Sequence, residues 1–355
     1  MMEKDILICG DFMPGGVLYR QNSFVDEDVI KFIKSHQFVV ATLECALTDD
    51  DDYLAVPSEK AVPKVVVKKE DLERLYALNI NVVSLANNHV FDLGIDAYDR
   101  LIEELRAHNI CFFGAGYNLE EASKPCVLFK NNKKIAFFGC CMEGVPPTRL
   151  TIATKDQPGV WKTSIKELTT VLRSARERFD YVFVLPHGGQ EHKTLPMFEC
   201  LDMSKQMVDA GADGVFWSHA HCVQPKFSYK RRPICFGLGS LLFPDVYVYP
   251  PRSIFYPDDK FDYTQMEFCV NFPKKVYHPT LASWDEKSRK GMVVSLGLKD
   301  SLSVALKLCE LNRNNMLKPM NEFKSVLKAI ELWLKSLLFV LPTNVYGTIR
   351  KTIYK

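Results

Sequence analysis

Apolar runs in this chain repeatedly end in a side chain able to bind a metal ion. Ile8-Cys9-Gly10-Asp11 and Ala41-Thr42-Leu43-Glu44 each deliver a carboxylate. Ser84-Leu85-Ala86-Asn87-Asn88-His89 supplies amides and an imidazole, and Leu185-Pro186-His187-Gly188-Gly189 another imidazole. Trp217-Ser218-His219-Ala220-His221 carries two more, spaced so that both rings can turn onto one ion. Taken singly, Asp11, Glu44 and the Asn87-Asn88 pair read as ordinary turn or strand-end residues, and His187 as a hydrogen-bonded histidine. Together they place carboxylate, amide and imidazole donors at successive strand ends. Sites in α/β sheets form where loops leave the carboxyl ends of strands. Of the eight histidines, His89, His187, His192, His219 and His221 lie at or near such ends, so the pattern rests on most of the imidazoles present.

The elements that must position these residues alternate over the first 240 or so positions. Strand-like runs are Ile6–Cys9, Phe38–Ala41, Val82–Leu85, Cys111–Phe113, Lys134–Phe138, Tyr181–Leu185 and Gly214–Trp217. Helix-period stretches are Asp28–Lys34, Glu70–Leu78, Ala97–His108, Ser164–Arg178 and Phe198–Ala210. Continuously apolar strands imply a sheet covered on both faces, hence a layered α/β/α core. Residues 244–263, rich in Pro, Tyr and Asp, read as an irregular loop or lid. Met266–Phe272 and Lys290–Lys307 read as antiparallel strands, the latter turning at Asp300-Ser301. Asp49–Asp52 lacks the spaced ligands of a calcium loop and reads as a hydrated loop near the pocket rim. Lys230-Arg231-Arg232 reads as a solvated hairpin turn.

Composition excludes several classes. The chain has 355 residues, 47% hydrophobic and 25% charged, which rules out wholesale disorder, a collagen-like repeat or a coiled-coil rod. A formal net charge of +2 gives no reason to expect nucleic-acid binding through bulk electrostatics. The start runs from Met1-Met2-Glu3 straight into a strand without a signal-like apolar segment. The run Leu337–Pro342 is far short of the ~20 residues that span a bilayer. Eleven scattered cysteines, none in a two-residue-spaced pair, read as reduced and structural. These features predict a cytoplasmic protein.

The ordered set of motifs resembles the poly-γ-glutamate capsule-synthesis (CapA) family, a branch of the calcineurin-like metallophosphoesterases. The carrying segments are Gly10-Asp11, Leu43-Glu44, Ser84–His89 with Asp92 and Gly94, and His187-Gly188 with Glu191. Ala210–Asp213 leading to His219-Ala220-His221, Gln224-Pro225 and Phe236–Phe243 complete it. The resemblance implies a four-layer α/β/β/α sandwich over residues 1–310, with its core in 5–243 and later strands in 264–310. It implies a site for one or two divalent metals. Glu44 would be the bridging carboxylate, Asn88, His187 and His219 would complete one site, and Asp11 and His221 would hold the other. His89 would be the general acid or transition-state donor, oriented by Asp92, while Asn87 and Glu191 would touch substrate. Such mixed donors suit Mn, Fe or Zn better than Mg. Paired cations would clamp a phosphoryl oxygen and acidify a bound water.

The sequence departs from that pattern in three places. Met13 stands where classical members carry a histidine, so one metal is short of a ligand. Gly188-Gly189 replace an aromatic residue usual after the first imidazole, and Ser218 replaces a common glycine. The implied function is a phosphoesterase-type hydrolase in capsule or surface-polymer synthesis, acting on a phosphorylated or polymeric anion. The alternative is a non-catalytic or weakly catalytic assembly factor working with the capsule-synthesis machinery. The retained Asn88-His89 pair favours the enzyme, and the gap at Met13 favours the scaffold.

Residues 311–355 fall outside the resemblance and read as a helical extension. Phe323, Val326, Leu327, Ile330, Trp333, Leu334 and Leu337 share one helical face. Packing of that face on the α/β core is the expectation, and a peripheral membrane helix with a basic tail is the alternative. Pro342 is expected to stop the helix.

Overall fold

The computed structural model describes residues 5–49, 63–147, 149–299 and 301–354. It is a mixed α/β structure built on two large sheets. In the first, Ile6–Phe12, Phe38–Leu43, Val82–Ser84 and Cys111–Phe113 run parallel in that order. Lys290–Gly297 joins the other side of Ile6–Phe12 antiparallel, followed by Ser303–Leu311 and Leu317–Pro319. Ser240–Leu242 pairs with the end of Ile6–Phe12. The second sheet runs Lys162–Thr163, Lys133–Met142, Tyr181–His187, Gly214–Phe216, Arg232–Cys235 and Lys226–Tyr229, with Cys126–Lys130 paired to Lys133–Met142.

Strand alternation explains how the layers form, because successive side chains leave a sheet on opposite faces. Ile6, Ile8, Val40 and Val82 from the first sheet share a buried cluster with Ile135, Phe137, Phe183 and Phe216 from the second. Their neighbours Leu7, Val39, Ala41 and Val83 pack instead with Val29, Ile33, Leu101 and Leu105 of the helices Glu27–Lys34 and Gly94–Ala107. On the second sheet Ala136, Phe138, Val182 and Val184 pack with Leu168, Leu172, Leu201 and Met207 of Ile165–Arg176 and Phe198–Asp209. Local chemistry sets the helix starts. Asp26 caps Glu27–Lys34, and Ser164 with Glu167 forms a capping box on Ile165–Arg176. Buried Asp213 accepts from Arg176 and from the Val182 amide and pairs with Arg232, tying two strand starts together.

Several expectations are corrected. Residues 244–263 are irregular only in part: Val246–Tyr249 and Ser253–Phe255 form a hairpin in a separate four-stranded sheet. Glu267–Val270 pairs parallel with Thr280–Ser283 in that sheet, so the antiparallel expectation fails there. The hairpin between Lys290–Gly297 and Ser303–Leu311 forms in register, although Asp300 at its turn lies outside the described residues. Of the acidic run, Asp50–Asp52 also lie outside them, while Asp49 pairs with Arg100 at 3.2 Å. Cys111 and Cys126, expected to be reduced, are joined by a disulfide that links the two sheets, and the other nine cysteines are free.

The C-terminal segment differs most. It opens with the strand Leu317–Pro319, continues as the helix Glu322–Ser336 and a short turn of helix Leu337–Val340, and then forms a second helix, Thr343–Ile353. Pro342 ends one helix and starts the next. The first helix packs through Leu332 and the stem of Lys328, whose ammonium pairs with Glu331. The apolar face expected to be buried therefore points outward, and Phe339 drives into the core instead, against Phe236 and Tyr346. Among the described residues no helix is long and apolar enough to cross a membrane.

A buried ion pair fixes the wall of the site. Arg289 bonds Asp245, the Trp284 carbonyl and the Asn312 carbonyl, and Asp245 also accepts from Asn315. Trp284 is thereby held 6.1 Å from the ring of His221. Arg289→Met leaves Asp245 buried without its cation. The expected cost is about 3–5 kcal/mol of stability, read from urea unfolding, with part recovered in the Asp245→Asn/Arg289→Met pair.

Candidate metal centre

The parallel strands deliver their carboxyl ends to one chamber. Asp11 closes Ile6–Phe12, Glu44 follows Phe38–Leu43, Asn88 and His89 follow Val82–Ser84, and His187 ends Tyr181–His187. His219 and His221 lie on the turn after Gly214–Phe216, both with positive φ, 91° and 48°. A non-glycine residue held there costs on the order of 1–3 kcal/mol, so the surrounding contacts must impose it. Asp11 does part of this by accepting from the His219 amide at 3.2 and 3.3 Å. Asp11, Glu44, Asn88, His187, His219 and His221 are all buried.

The other five predicted ligands converge around Glu44. Its Oε1 lies 3.6 Å from His187 Nε2 and 3.7 Å from His221 Nε2. Donor atoms of Asp11, Glu44 and His187 fall within 4.8 Å of one another, as do those of Glu44, His219 and His221. Glu44 is common to both triads. The rings of His187 and His219 have centroids 4.7 Å apart. Both carboxylate oxygens of Glu44 and Nδ1 of His219 are buried without a hydrogen-bond partner among the described residues. Buried polar atoms are normally satisfied, so bare carboxylate oxygens among imidazoles fit a divalent cation.

Electrostatics agree with that fit. Burial raises the Glu44 carboxyl well above its usual range, with His221 opposing and Asp11 adding to the rise. Burial pushes His187 well below the ordinary imidazole value, helped by the neighbouring histidines, and holds His219 at about 4. Burial would also depress His221, but Glu44 and Asp11 outweigh it and lift the ring to about 10. Two imidazoles are thus kept neutral, the form that ligates, while the carboxylates recruit positive charge.

His89 stands beside the ligands. Its Nδ1 lies 2.6 Å from Asp92 Oδ2, and its Nε2 faces the chamber 4.0 Å from Glu44 Oε1. Asp92 is itself fixed by the Val65 amide at 2.9 Å. Asn87, expected to touch substrate, has both ends of its amide bonded to backbone. Its Oδ1 accepts from the His89 and Val90 amides and its Nδ2 donates to the Leu43 carbonyl, so it builds the turn that aims Asn88 and His89. Glu191 sits at the mouth, half-exposed, with Oε1 3.6 Å from His219 Nε2. It borders a cleft of about 450 Å³ lined by Asn88, Arg149, Gln190, Lys193 and His219.

The departures have physical reasons. Met13 is buried away from ligation, with its sulfur accepting from the Gly15 amide. A side chain at Gly188 would bring its Cβ within 2.8 Å of the Pro146 carbonyl, so an aromatic there has no room. Ser218 fills a role that sequence reasoning missed. Its Oγ lies 2.9 Å from His187 Nδ1 and accepts from Thr42 at 3.2 Å, while His187 Nε2 lies 2.9 Å from Asn88 Oδ1. Thr42 and Ser218 thus orient the imidazole, as outer partners of ligating histidines do. A hydroxyl immediately before His219-Ala220-His221 was the available signal.

The loop Gln190–Pro196 beside the cleft is braced by the helix Thr343–Ile353 and its C-cap Tyr354. Tyr354 Oη accepts from the Leu195 amide at 2.6 Å, Tyr346 Oη donates to the Pro196 carbonyl at 2.7 Å, and Arg350 bonds Gln190. Lys193 places its ammonium 4.7 Å from the Tyr354 ring centroid.

Residues 5–245 match the family model described as "Bacterial capsule synthesis protein PGA_cap". The chain is similar to "PGA biosynthesis protein CapA" of Bacillus subtilis (strain 168), 27% identical over 66% of this chain and 62% of that protein. It is also similar to "Capsule biosynthesis protein CapA" of Bacillus anthracis, 26% identical over 62% of this chain and 54% of that protein. The chain therefore spans between about half and two-thirds of these relatives' length. Among solved structures, a hypothetical protein from Thermus thermophilus aligns over 86% of this chain and 98% of its own, with a TM-score of 0.47 and 12% identity.

Proposed function

Because the chain belongs to the bacterial capsule synthesis family PGA_cap, we propose that its buried centre is that of a divalent-metal hydrolase of phosphoesterase type, acting in capsule or poly-γ-glutamate synthesis. The observation that carries this reading is Glu44: two buried carboxylate oxygens, with no hydrogen-bond partner among the described residues, shared by two sets of donors. Asp11, Glu44, Asn88, His187, His219 and His221 would hold one or two ions, of Mn, Fe or Zn rather than Mg. Bound there, a divalent ion supplies Lewis acidity and lowers the pKa of a water.

The chain's own residues then account for the rest. His89, backed by Asp92, aims Nε2 into the chamber and gives its proton to the leaving oxygen. Arg149 and Lys193 at the cleft bind an anionic substrate, and Glu191 limits how deeply its charge enters. Strands, helices and the three core clusters support a four-layer α/β/β/α reading of the scaffold. The second reading, an assembly factor of the capsule machinery without turnover, is favoured by one observation, the non-ligating Met13.

Hydrolysis of an aryl phosphodiester separates the two. The full chain loaded with Mn²⁺ is expected to turn the diester over, and a chelator to stop it. Metal-loaded protein with no turnover above buffer would leave the assembly reading standing.

A further inference from the structure

We propose that the outward stripe of the C-terminal helices is a docking surface for an anionic membrane. On Glu322–Ser336 the side chains of Phe323, Leu327, Ile330, Trp333 and Leu334 are 49–71% exposed, and Val340 beyond them reaches 78%. A surface helix ordinarily turns such a stripe inward and its charges to water. Here the arrangement is reversed: Lys328 and Lys335 pair with Glu331 on the inner side while the apolar side faces out. A contiguous exposed patch of this kind marks an interaction surface.

Charge identifies the partner. Of the cations from Lys318 to Tyr354, Lys328 and Lys335 pair with Glu331 and Lys324 with Glu310, which leaves Lys318, Arg350 and Lys351 against Glu322. The apolar groove under the helix, lined in part by Met292, Leu306 and Trp333, has Lys226 and Lys307 among its lining residues. Cations around an apolar stripe bearing Trp and Phe suit the boundary between anionic headgroups and acyl chains. A second copy would set the same cations against each other across a two-fold axis. The helix is too short to span, so it lies in the plane of the interface. The short segment 337–342 joins it to the helix that braces the Gln190–Pro196 loop, so docking would hold the cleft in a set orientation to the lipid.

Co-sedimentation of the full chain with vesicles tests this. One set contains phosphatidylglycerol and phosphatidylcholine in equal parts, and the other phosphatidylcholine alone. The comparison protein is Ile330→Asp/Leu334→Asp, whose changes face solvent and whose folding is checked by thermal melting. Binding to the anionic vesicles is expected to be at least about tenfold tighter than to the neutral ones, weakened by salt, and lost in the variant. Trp333 fluorescence should shift to the blue on binding. Absence of binding by the unaltered chain, equal binding to neutral vesicles, or equal binding by the variant would overturn the proposal. So would a concentration-dependent dimer, abolished in the variant, without vesicle binding.

Discussion

His89→Ala is expected to keep its full metal content and lose about 10²–10⁴-fold in turnover, the usual contribution of a positioned acid. The ring is not needed to build the centre, because the five other donors converge on Glu44 without it. Its side chain touches Asp92 on one edge and looks into the chamber on the other. Removing it takes away a proton donor and leaves a small void beside the ligands. Asp92→Asn should cost less, since the imidazole remains and loses only the anion behind it. Metal analysis alongside aryl phosphodiester kinetics reads both quantities. Unchanged turnover in His89→Ala would transfer the argument to the assembly reading.

His219→Ala is expected to lose metal and activity together. Its ring completes one donor triad with Glu44 and His221, and its buried Nδ1 has no hydrogen-bond partner among the described residues. Burial keeps the ring neutral and so ready to donate a lone pair. Ser218→Ala should be milder, weakening metal binding about 10–100-fold, because it removes only the hydroxyl that orients His187. Graded loss across Ser218→Ala and His219→Ala distinguishes a ligand from its support.

Much of the scaffold was legible because its signals are local. Ile6–Phe12, Phe38–Leu43 and Tyr181–His187 are apolar runs ending in polar residues, and burial on both faces makes such runs conspicuous. Ser164 with Glu167 marks a helix start three residues apart. The second class of feature is set by tertiary contact. Asn87 reads like a substrate group, yet the Leu43 carbonyl 44 positions earlier claims its amide. Ser218 supports His187 across 31 positions, a pairing no spacing rule encodes. The stripe from Phe323 to Leu337 has the correct helical period, but periodicity cannot say which face meets the core. Lys328 and Leu332 make that contact instead. The Val246–Tyr249 and Ser253–Phe255 hairpin was hidden by the Pro and Tyr content that usually marks loops.

The divalent-metal centre proposed on Glu44 and its neighbours stands or falls on ion binding. Manganese titration of chelator-stripped full-length chain, followed by electron paramagnetic resonance of the free ion, tests it without reference to any substrate. Saturable uptake of one or two ions per chain, displaced by Zn²⁺ and lost in Glu44→Ala, is the predicted result. Absence of saturable uptake, or the same uptake in Glu44→Ala as in the unaltered chain, would contradict it.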